Sequence, residues 1–389
     1  MPPRAVSLNV RIAFFTLVRM LSSIAFRMVY PFLPVFRDAL GVSLETLSAA
    51  VGVRSLAAAI AGPFIASVGD SRGRRAGMLL GMAVFVTGAV VVSIWPTFPG
   101  FIAAMVLMLI GKVTFDPSLQ AYIGDRVPYA RRSAAITVTE LSWSGAFIIG
   151  IPAVGWLIGR AGWLAPFQLL GLLVLVCMLV MLVLLPRDPA KTVKPPNLAQ
   201  NFRQVLRSPA ARAVLAFTLL TCMANELVGL IFGVWLEDSF GLRITALGLA
   251  AAVLGIAELS GEGLVALVTD RLGKRRAIML GVLANCLASL ALPFIGQSYT
   301  GALVGLFLFY VSFEFVIVSS IPLMTEVLPA ARATMMSGFF TFASLGRALA
   351  SWLTPVLFAR GFGFNAAAAI AINLLALLFL RRLRVEAEE

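Results

Sequence analysis

Twelve apolar runs dominate the chain, and each is long enough to cross a lipid bilayer once, which takes about 20 mainly apolar residues in a helix. Hydrophobic residues make up 60% of the chain and charged residues only 13%, against about 45–50% and about 25% in soluble domains. The sequence therefore predicts an all-α membrane protein. Its helices one to twelve are predicted at 12–36, 45–69, 77–95, 99–122, 134–158, 163–186, 212–236, 245–269, 277–295, 300–322, 335–358 and 363–380.

The longest interruption between apolar runs divides the predicted helices six and six. It covers residues 187–211, which we interpret as a linker between an N-terminal bundle at 1–186 and a C-terminal bundle at 212–389. Basic residues concentrate in alternate loops, and such loops usually lie in the cytoplasm. This pattern predicts a multi-pass protein of the cell membrane with both termini and the linker in the cytoplasm. The bases then left on the outer side are Arg37, Arg160, Arg243 and Arg360.

A short basic turn occurs twice, each time between two predicted membrane helices. The first copy reads Asp70-Ser71-Arg72-Gly73-Arg74-Arg75, and the second, 200 positions later, reads Asp270-Arg271-Leu272-Gly273-Lys274-Arg275. A second repeat lies at the inner ends of helices four and ten, where Asp125 corresponds to Glu326, 201 positions later. Repetition at half the chain length predicts two structurally similar halves.

Eleven ionisable side chains fall inside the predicted membrane helices. Such groups are costly in hydrocarbon, so they usually pair, face an interior cavity or serve transport. They are Arg19, Arg27, Arg54, Lys112, Asp116, Glu140, Glu226, Glu258, Glu262, Glu314 and Arg347. All except Arg54 and Glu140 are our candidate residues for substrate binding or proton coupling.

Several charges of the N-terminal half have a structural alternative. Lys112 and Asp116 are one helical turn apart, so they either neutralise each other or take part in transport. Arg19 either extends towards the inner membrane surface or serves the site. Arg54 and Glu140 either brace the bundle or contact substrate.

The two halves carry opposite charge at related positions. Arg27 and Glu226 are 199 positions apart, and Lys112 and Glu314 are 202 apart. The N-terminal half holds four of the five buried bases, and the C-terminal half holds four of the six buried acids. We hypothesise that the halves face each other with opposite charge, and that these groups bind substrate or latch the halves together.

The repeated turn and the six-plus-six helices resemble the major facilitator superfamily of transporters. That family's turn motif is usually written G-x-x-x-D-x-x-G-R-K/R. The matching residues are Asp70, Gly73, Arg74 and Arg75 in the first copy and Asp270, Gly273, Lys274 and Arg275 in the second. The motif's first glycine is replaced by Ala66 and by Ala266. The resemblance implies a fold of two pseudo-symmetric six-helix bundles, with helices one, four, seven and ten around a central cavity.

The resemblance also implies a gating role for the turns. Asp70 would contact the start of helix eleven near Thr334, and Asp270 the start of helix five near Ser133. A carboxylate gains there from the unpaired N–H groups of the helix. The alternative is that each acid caps only its own loop.

Carboxylates are the predicted proton carriers, because the chain contains no histidine. Glu226 and Glu314 are the preferred proton carriers, because they belong to helices that line the cavity in the family that this sequence resembles. Glu258 and Glu262 are one turn apart, and repulsion between two like charges in apolar surroundings favours proton binding. Alternatively, a basic residue matches each of them.

Helix five contains Gly150, Pro152 and Gly155. This is similar to the antiporter motif G-P-x-x-G-G of the proton-coupled drug-efflux branch, although Ile151 separates the first Gly from the Pro and Trp156 replaces the last Gly. The resemblance implies proton-coupled export of amphipathic or apolar small molecules by alternating access.

Two other transport functions remain open. They are proton symport of an anionic metabolite, attracted by the bases of the N-terminal half, and flipping of a lipid or lysolipid. The net charge of +13 follows from cytoplasmic loops rather than nucleic-acid binding. With no histidine and unpaired cysteines we expect no enzyme activity, metal or cofactor. The expected partners are the bilayer, a small-molecule substrate and protons. The resemblance to the family implies a monomer.

Overall fold

The computed structural model describes residues 8–185, 203, 205, 207–328 and 332–381. Side chains at 63–72, 129–134, 184, 325, 332 and 333 lie outside that description. The described part of the chain is helical and contains no strand, so the predicted all-α class is confirmed.

Nine of the predicted membrane helices are each a single helix in the described part of the chain. Their ends agree with the sequence prediction to within a few residues, because each apolar run stops at a loop. They are Leu44–Arg72, Arg74–Ile94, Phe98–Arg126, Ala165–Leu184, Ile244–Leu272, Lys274–Ile295, Tyr299–Val327, Arg332–Phe358 and Phe362–Arg381, which are helices two, three, four, six, eight, nine, ten, eleven and twelve.

Helices one and seven are each broken into two stretches. Helix one consists of Leu8–Arg27 and Leu33–Leu40, and helix seven of Pro209–Gly229 and Phe232–Phe240. The break in helix one contains Pro31, which has no N–H to donate and whose ring crowds the preceding turn. The two breaks occupy corresponding positions in the two predicted halves.

Helix five is continuous but irregular. Tyr129–Gly145 and Ile151–Ala161 are α-helical, and Ala146–Gly150 between them is π-helical. A single π turn inserts an extra residue into an α-helix and is frequent at functional sites. It immediately precedes Pro152, which lies in the first turn of the second stretch.

Eleven of the described helices are long and apolar enough to cross a membrane. The remaining predicted span, helix eleven, is 27 residues long but is not among those eleven. The protein is therefore an all-α, multi-pass membrane protein.

The chain forms two compact units, one of Met1–Val29 with Phe64–Pro195 and the other of Tyr30–Pro63 with Pro196–Glu389. In the first unit, helix three packs on helices four and six, and helix one on helix five. In the second, helix nine packs on helices ten and twelve, and helix seven on helix eleven. These pairings correspond after a shift of six helices, as expected for a repeat. The predicted division into 1–186, 187–211 and 212–389 stays a prediction.

Candidate functional site

Four charged side chains of the first unit form one ion-pair cluster, in which the two bases are buried and the two acids are partly exposed. Arg19 Nη2 of helix one donates to Glu140 Oε2 of helix five at 2.9 Å, and Arg19 Nη1 lies 2.7 Å from Glu140 Oε1. The Arg19 Nε lies 3.6 Å from Asp116 of helix four. Lys112 Nζ lies 2.8 Å from the other Asp116 oxygen. Hydrogen bonds between ionised groups are shorter and stronger than those between neutral groups.

This cluster is electrically balanced, with two bases and two acids. Arg19 and Lys112 are buried, and Lys112 also donates to Ser23 Oγ at 3.0 Å. Lys112 and Asp116 thus form the ion pair that their spacing allows. Arg19 is likewise paired within the bundle. We call this set (Arg19, Lys112, Asp116 and Glu140) the paired cluster.

Arg27 lies between two aromatic rings of helix five. Its guanidinium carbon is 3.8 Å from the ring centre of Trp143 and 3.9 Å from that of Phe147. It also donates to the Trp143 backbone carbonyl at 3.2 Å. A cation over an aromatic face is attracted by the negative face of the ring. Phe147 belongs to the π-helical turn, which therefore places one of the two rings.

The glycine of the helix-five motif serves close packing. A side chain at Gly150 would collide with Ile24 of helix one. Gly155 is buried as well, and Pro152 begins the second α-helical stretch. The motif therefore shapes the contact between helices one and five, and its predicted link to antiport stays a prediction.

Glu226 is the central carboxylate of the second unit. Only 1% of its surface is exposed. Its Oε2 accepts a hydrogen bond from the Tyr30 hydroxyl at 3.4 Å and lies 4.0 Å from Arg347 Nε. Its other oxygen, Oε1, is buried without a hydrogen-bond partner among the described residues. These contacts are longer than those of the paired cluster.

Arg54 and Tyr30 complete this second set. Arg54 is 1% exposed and donates to the Tyr30 hydroxyl at 3.4 Å. Tyr30 therefore bridges a guanidinium and the Glu226 carboxylate. Helical spacing predicts no polar role for Tyr30, although its place beside Pro31, in the break of helix one, is a signal for one. We call Tyr30, Arg54, Glu226 and Arg347 the Glu226 cluster.

The other acids inside the predicted membrane helices of the C-terminal half are Glu314 of helix ten and Glu258 and Glu262 of helix eight. Glu314 is buried and acts electrostatically on Arg347, as Glu226 does. Helix eight crosses helix ten at Gly261, where a Cβ would lie 2.8 Å from the Glu314 Cβ. Glu258 is buried and Glu262 half-buried on either side of that crossing. Their predicted proton-carrying role stays a prediction.

The repeated turns make corresponding contacts in the two halves. Gly73 and Gly273 have φ angles of 95° and 79°, which favour glycine because they would strain an L side chain. Arg74 lies 3.2 Å from Asp125, and Lys274 pairs with Glu326. The two repeats found in the sequence are therefore joined to each other in each half.

The next base of each turn binds the end of another helix. Arg75 donates to the Leu182 carbonyl and Arg275 to the Arg381 carbonyl, both at 2.7 Å. These carbonyls lie near the C-termini of helices six and twelve, where a cation complements the helix dipole. The side chains of Asp70 and Ser133 lie outside the described residues, and Asp270 is exposed. The predicted gating contacts of both acids stay predictions.

A charged pair joins the second stretches of helices one and seven. Arg37 Nη2 lies 3.6 Å from Glu237 Oε2, and Arg37 Nε lies 2.8 Å from Asp38. The hydrogen bond to Asp38 raises the pKa of the Arg37 guanidinium, so this cation stays charged at every physiological pH.

Comparison with known proteins places these features in a family. The Major Facilitator Superfamily model matches residues 15–350, with a second match at 214–389. An uncharacterised MFS-type transporter of Bacillus subtilis, YwfA, is 25% identical over 89% of this chain and 85% of its own. The multidrug resistance protein MdtG of Serratia proteamaculans is 27% identical over 71% of this chain and 69% of its own.

Solved structures share the fold. A bacterial homologue of the human lysosomal transporter Spinster has a TM-score of 0.76 at 16% identity, covering 98% of this chain and 95% of that one. A D-xylose-proton symporter has a TM-score of 0.75 at 16% identity, covering 96% and 97%. Identities this low carry the fold alone. The chain belongs to the major facilitator superfamily and is a membrane transporter.

Proposed function

We propose that the protein is a proton-coupled exporter of amphipathic or apolar small molecules, working by alternating access in the cell membrane. A proton and the substrate exchange for each other, and Glu226 carries the proton. Protonation from outside neutralises this buried carboxylate and permits reorientation, after which substrate competes with the proton. The likeness to the multidrug resistance protein MdtG supports export.

The burial of Glu226 is the observation that carries this proposal. An ionised carboxylate that is 1% exposed keeps its charge only while nearby cations compensate for lost hydration. The nearest cationic atom, Arg347 Nε, lies 4.0 Å from Glu226 Oε2, and the Tyr30 hydroxyl donates to the same oxygen at 3.4 Å. Loosely compensated charge inside a membrane helix marks a group whose protonation changes during function.

Uptake of an anionic metabolite has less support. It relies on the bases of the N-terminal half to attract the anion. Arg19 and Lys112 are committed to Glu140 and Asp116, and Arg27 is stacked between two rings. The fourth base, Arg54, donates to the Tyr30 hydroxyl. An anion would have to displace these contacts, whereas an amphipathic molecule would not.

Purified protein in liposomes tests the proposal. With an imposed pH gradient, we expect wild-type protein to drive ethidium against its concentration gradient. Dissipation of the pH gradient should stop this ethidium flux. Glu226→Gln and the double variant Glu226→Gln/Glu314→Gln should lose gradient-driven flux, because neither amide exchanges a proton. The matched control is Glu45→Gln, an exposed glutamate, which should transport as wild type does.

Two outcomes would refute the proposal. One is pH-driven flux that survives the double replacement, which would move the proton to another group. The other is flux of ethidium that follows only its own gradient. A substrate panel that includes organic anions and lysolipids would then show whether symport or lipid flipping applies.

A further inference from the structure

The first stretch of helix seven carries a polar stripe beside the Glu226 cluster. At about 100° per residue, Thr218, Thr221, Cys222, Asn225 and Glu226 fall within an arc of roughly 140°. All five are buried. A polar stripe on a membrane helix faces the protein interior rather than lipid.

Three atoms of this stripe are buried without a hydrogen-bond partner among the described residues. They are Thr221 Oγ1, Asn225 Oδ1 and Glu226 Oε1. The residues that carry them are 3%, 8% and 1% exposed. A buried polar atom without a partner is costly, and in the membrane interior the bilayer offers it none. Thr218 differs, because its hydroxyl donates to the Val214 carbonyl at 3.0 Å.

The chemistry of the three atoms points to a ligand that donates hydrogen bonds. Asn225 Oδ1 and an ionised Glu226 Oε1 only accept, and a threonine hydroxyl both accepts and donates. One of the acceptors carries negative charge. A protonated amine, with several N–H donors and a positive charge, satisfies all three.

Aromatic and apolar groups border the same stripe. A Cβ at Gly229, one turn beyond Asn225, would lie 2.9 Å from the Tyr310 hydroxyl. Phe313 packs with Cys222 and Ala343 in one apolar cluster. An aromatic ring beside an ammonium adds cation–π attraction, and the apolar cluster suits the hydrophobic part of an amphipathic molecule.

We propose that Thr221, Asn225 and Glu226 form a binding site for the ammonium group of an amphipathic primary amine. This deepens the proposed function, on which it rests, by naming the substrate class. It also places Thr221 and Asn225 in direct contact with substrate, a role that the sequence analysis gave to neither.

Binding of two matched probes to detergent-solubilised protein tests the site. Dansylcadaverine has a terminal primary ammonium, and its N,N,N-trimethyl derivative has the same charge but no N–H there. Energy transfer from tryptophan to the dansyl group reports each Kd. We expect wild-type protein to bind the primary amine at least about tenfold more tightly, the effect of one typical net hydrogen bond.

Variants then assign the selectivity to the stripe. Thr221→Val and Asn225→Leu should each lower the ratio of the two affinities about three- to tenfold and leave binding of the trimethyl probe nearly unchanged. Thr218→Val is the matched control, because that hydroxyl already has a partner, and it should keep the wild-type ratio. Retained helical content and monodispersity show that each variant is folded.

Equal affinity of wild-type protein for the two probes, or binding of neither, would overturn the site. So would an effect of Thr218→Val as large as that of Thr221→Val. The affinity ratio is measured without a pH gradient, so the outcome of this binding test does not depend on the outcome of the flux experiment. Selective amine binding without pH-driven flux would keep this site and refute proton-coupled export.

Discussion

The two units hold their buried charges in different ways. In the paired cluster, two Arg19 nitrogens lie 2.7 Å and 2.9 Å from the Glu140 oxygens, and Lys112 Nζ lies 2.8 Å from Asp116 Oδ2. In the Glu226 cluster, the contacts are 3.4 Å and 4.0 Å. We therefore interpret the paired cluster as bracing its helices, and the proposal assigns exchange of a proton or a ligand to Glu226.

The largest expected effect breaks the paired cluster. Arg19→Met should lower the free energy of unfolding by about 1.5–3 kcal/mol, because Glu140 loses its charge-assisted pair with Arg19 while Asp116 keeps Lys112. The corresponding change in the second unit, Arg347→Met, should lower the free energy of unfolding by clearly less, because Glu226 can take up a proton instead. Equilibrium unfolding in mixed micelles measures both changes.

A double substitution is the control for Arg19→Met. Arg19→Met/Glu140→Leu removes both charges together and should recover most of the lost stability. If Arg347→Met proved as destabilising as Arg19→Met, the difference between a bracing and an exchanging cluster would not hold.

The two repeated turns have similar backbone geometry, so equivalent substitutions in them should lower stability by similar amounts. Gly73→Ala and Gly273→Ala should each cost about 1–2 kcal/mol, because both positions have positive φ and an L side chain is strained there. The control is Gly263→Ala, since a Cβ there meets no atom within 4 Å. It lies within helix eight, where alanine is favoured over glycine. Thermal unfolding measures all three, and a large effect at only one turn would contradict their equivalence.

The smallest effects concern the ion pairs of the turns. Asp125→Asn and Glu326→Gln should each cost about 0.2–1 kcal/mol, because Arg74–Asp125 and Lys274–Glu326 are partly exposed to solvent. Most of this cost should disappear in high salt, which screens exposed charges. A cost that persists in 1 M salt would contradict the solvent exposure of these pairs.

The helices and the repeat were readable from the sequence, since membrane helices follow from length and apolar content alone. The predicted span 99–122 and the helix Phe98–Arg126 show how well this works. The spacing of Lys112 and Asp116 also indicated their ion pair. Each of these features depends on residues close together in the chain.

Contacts between distant helices were not readable. Arg19 and Glu140 are 121 positions apart, and helical spacing does not relate residues of different helices. Pro31 marks the break beside Tyr30, but the partners of Tyr30, Arg54 on helix two and Glu226 on helix seven, could not be read from helical spacing. The π-helical turn places Phe147 against Arg27, and neither Gly150 nor Pro152 by itself specifies such a turn.

Proton release on substrate binding tests the central claim most directly. In weakly buffered detergent solution, adding ethidium to wild-type protein should release protons, up to about one per bound ligand, because substrate and proton compete for Glu226. Glu226→Gln should bind ethidium without releasing protons, while Glu45→Gln should release as many as wild type. Undiminished release from Glu226→Gln would contradict the account.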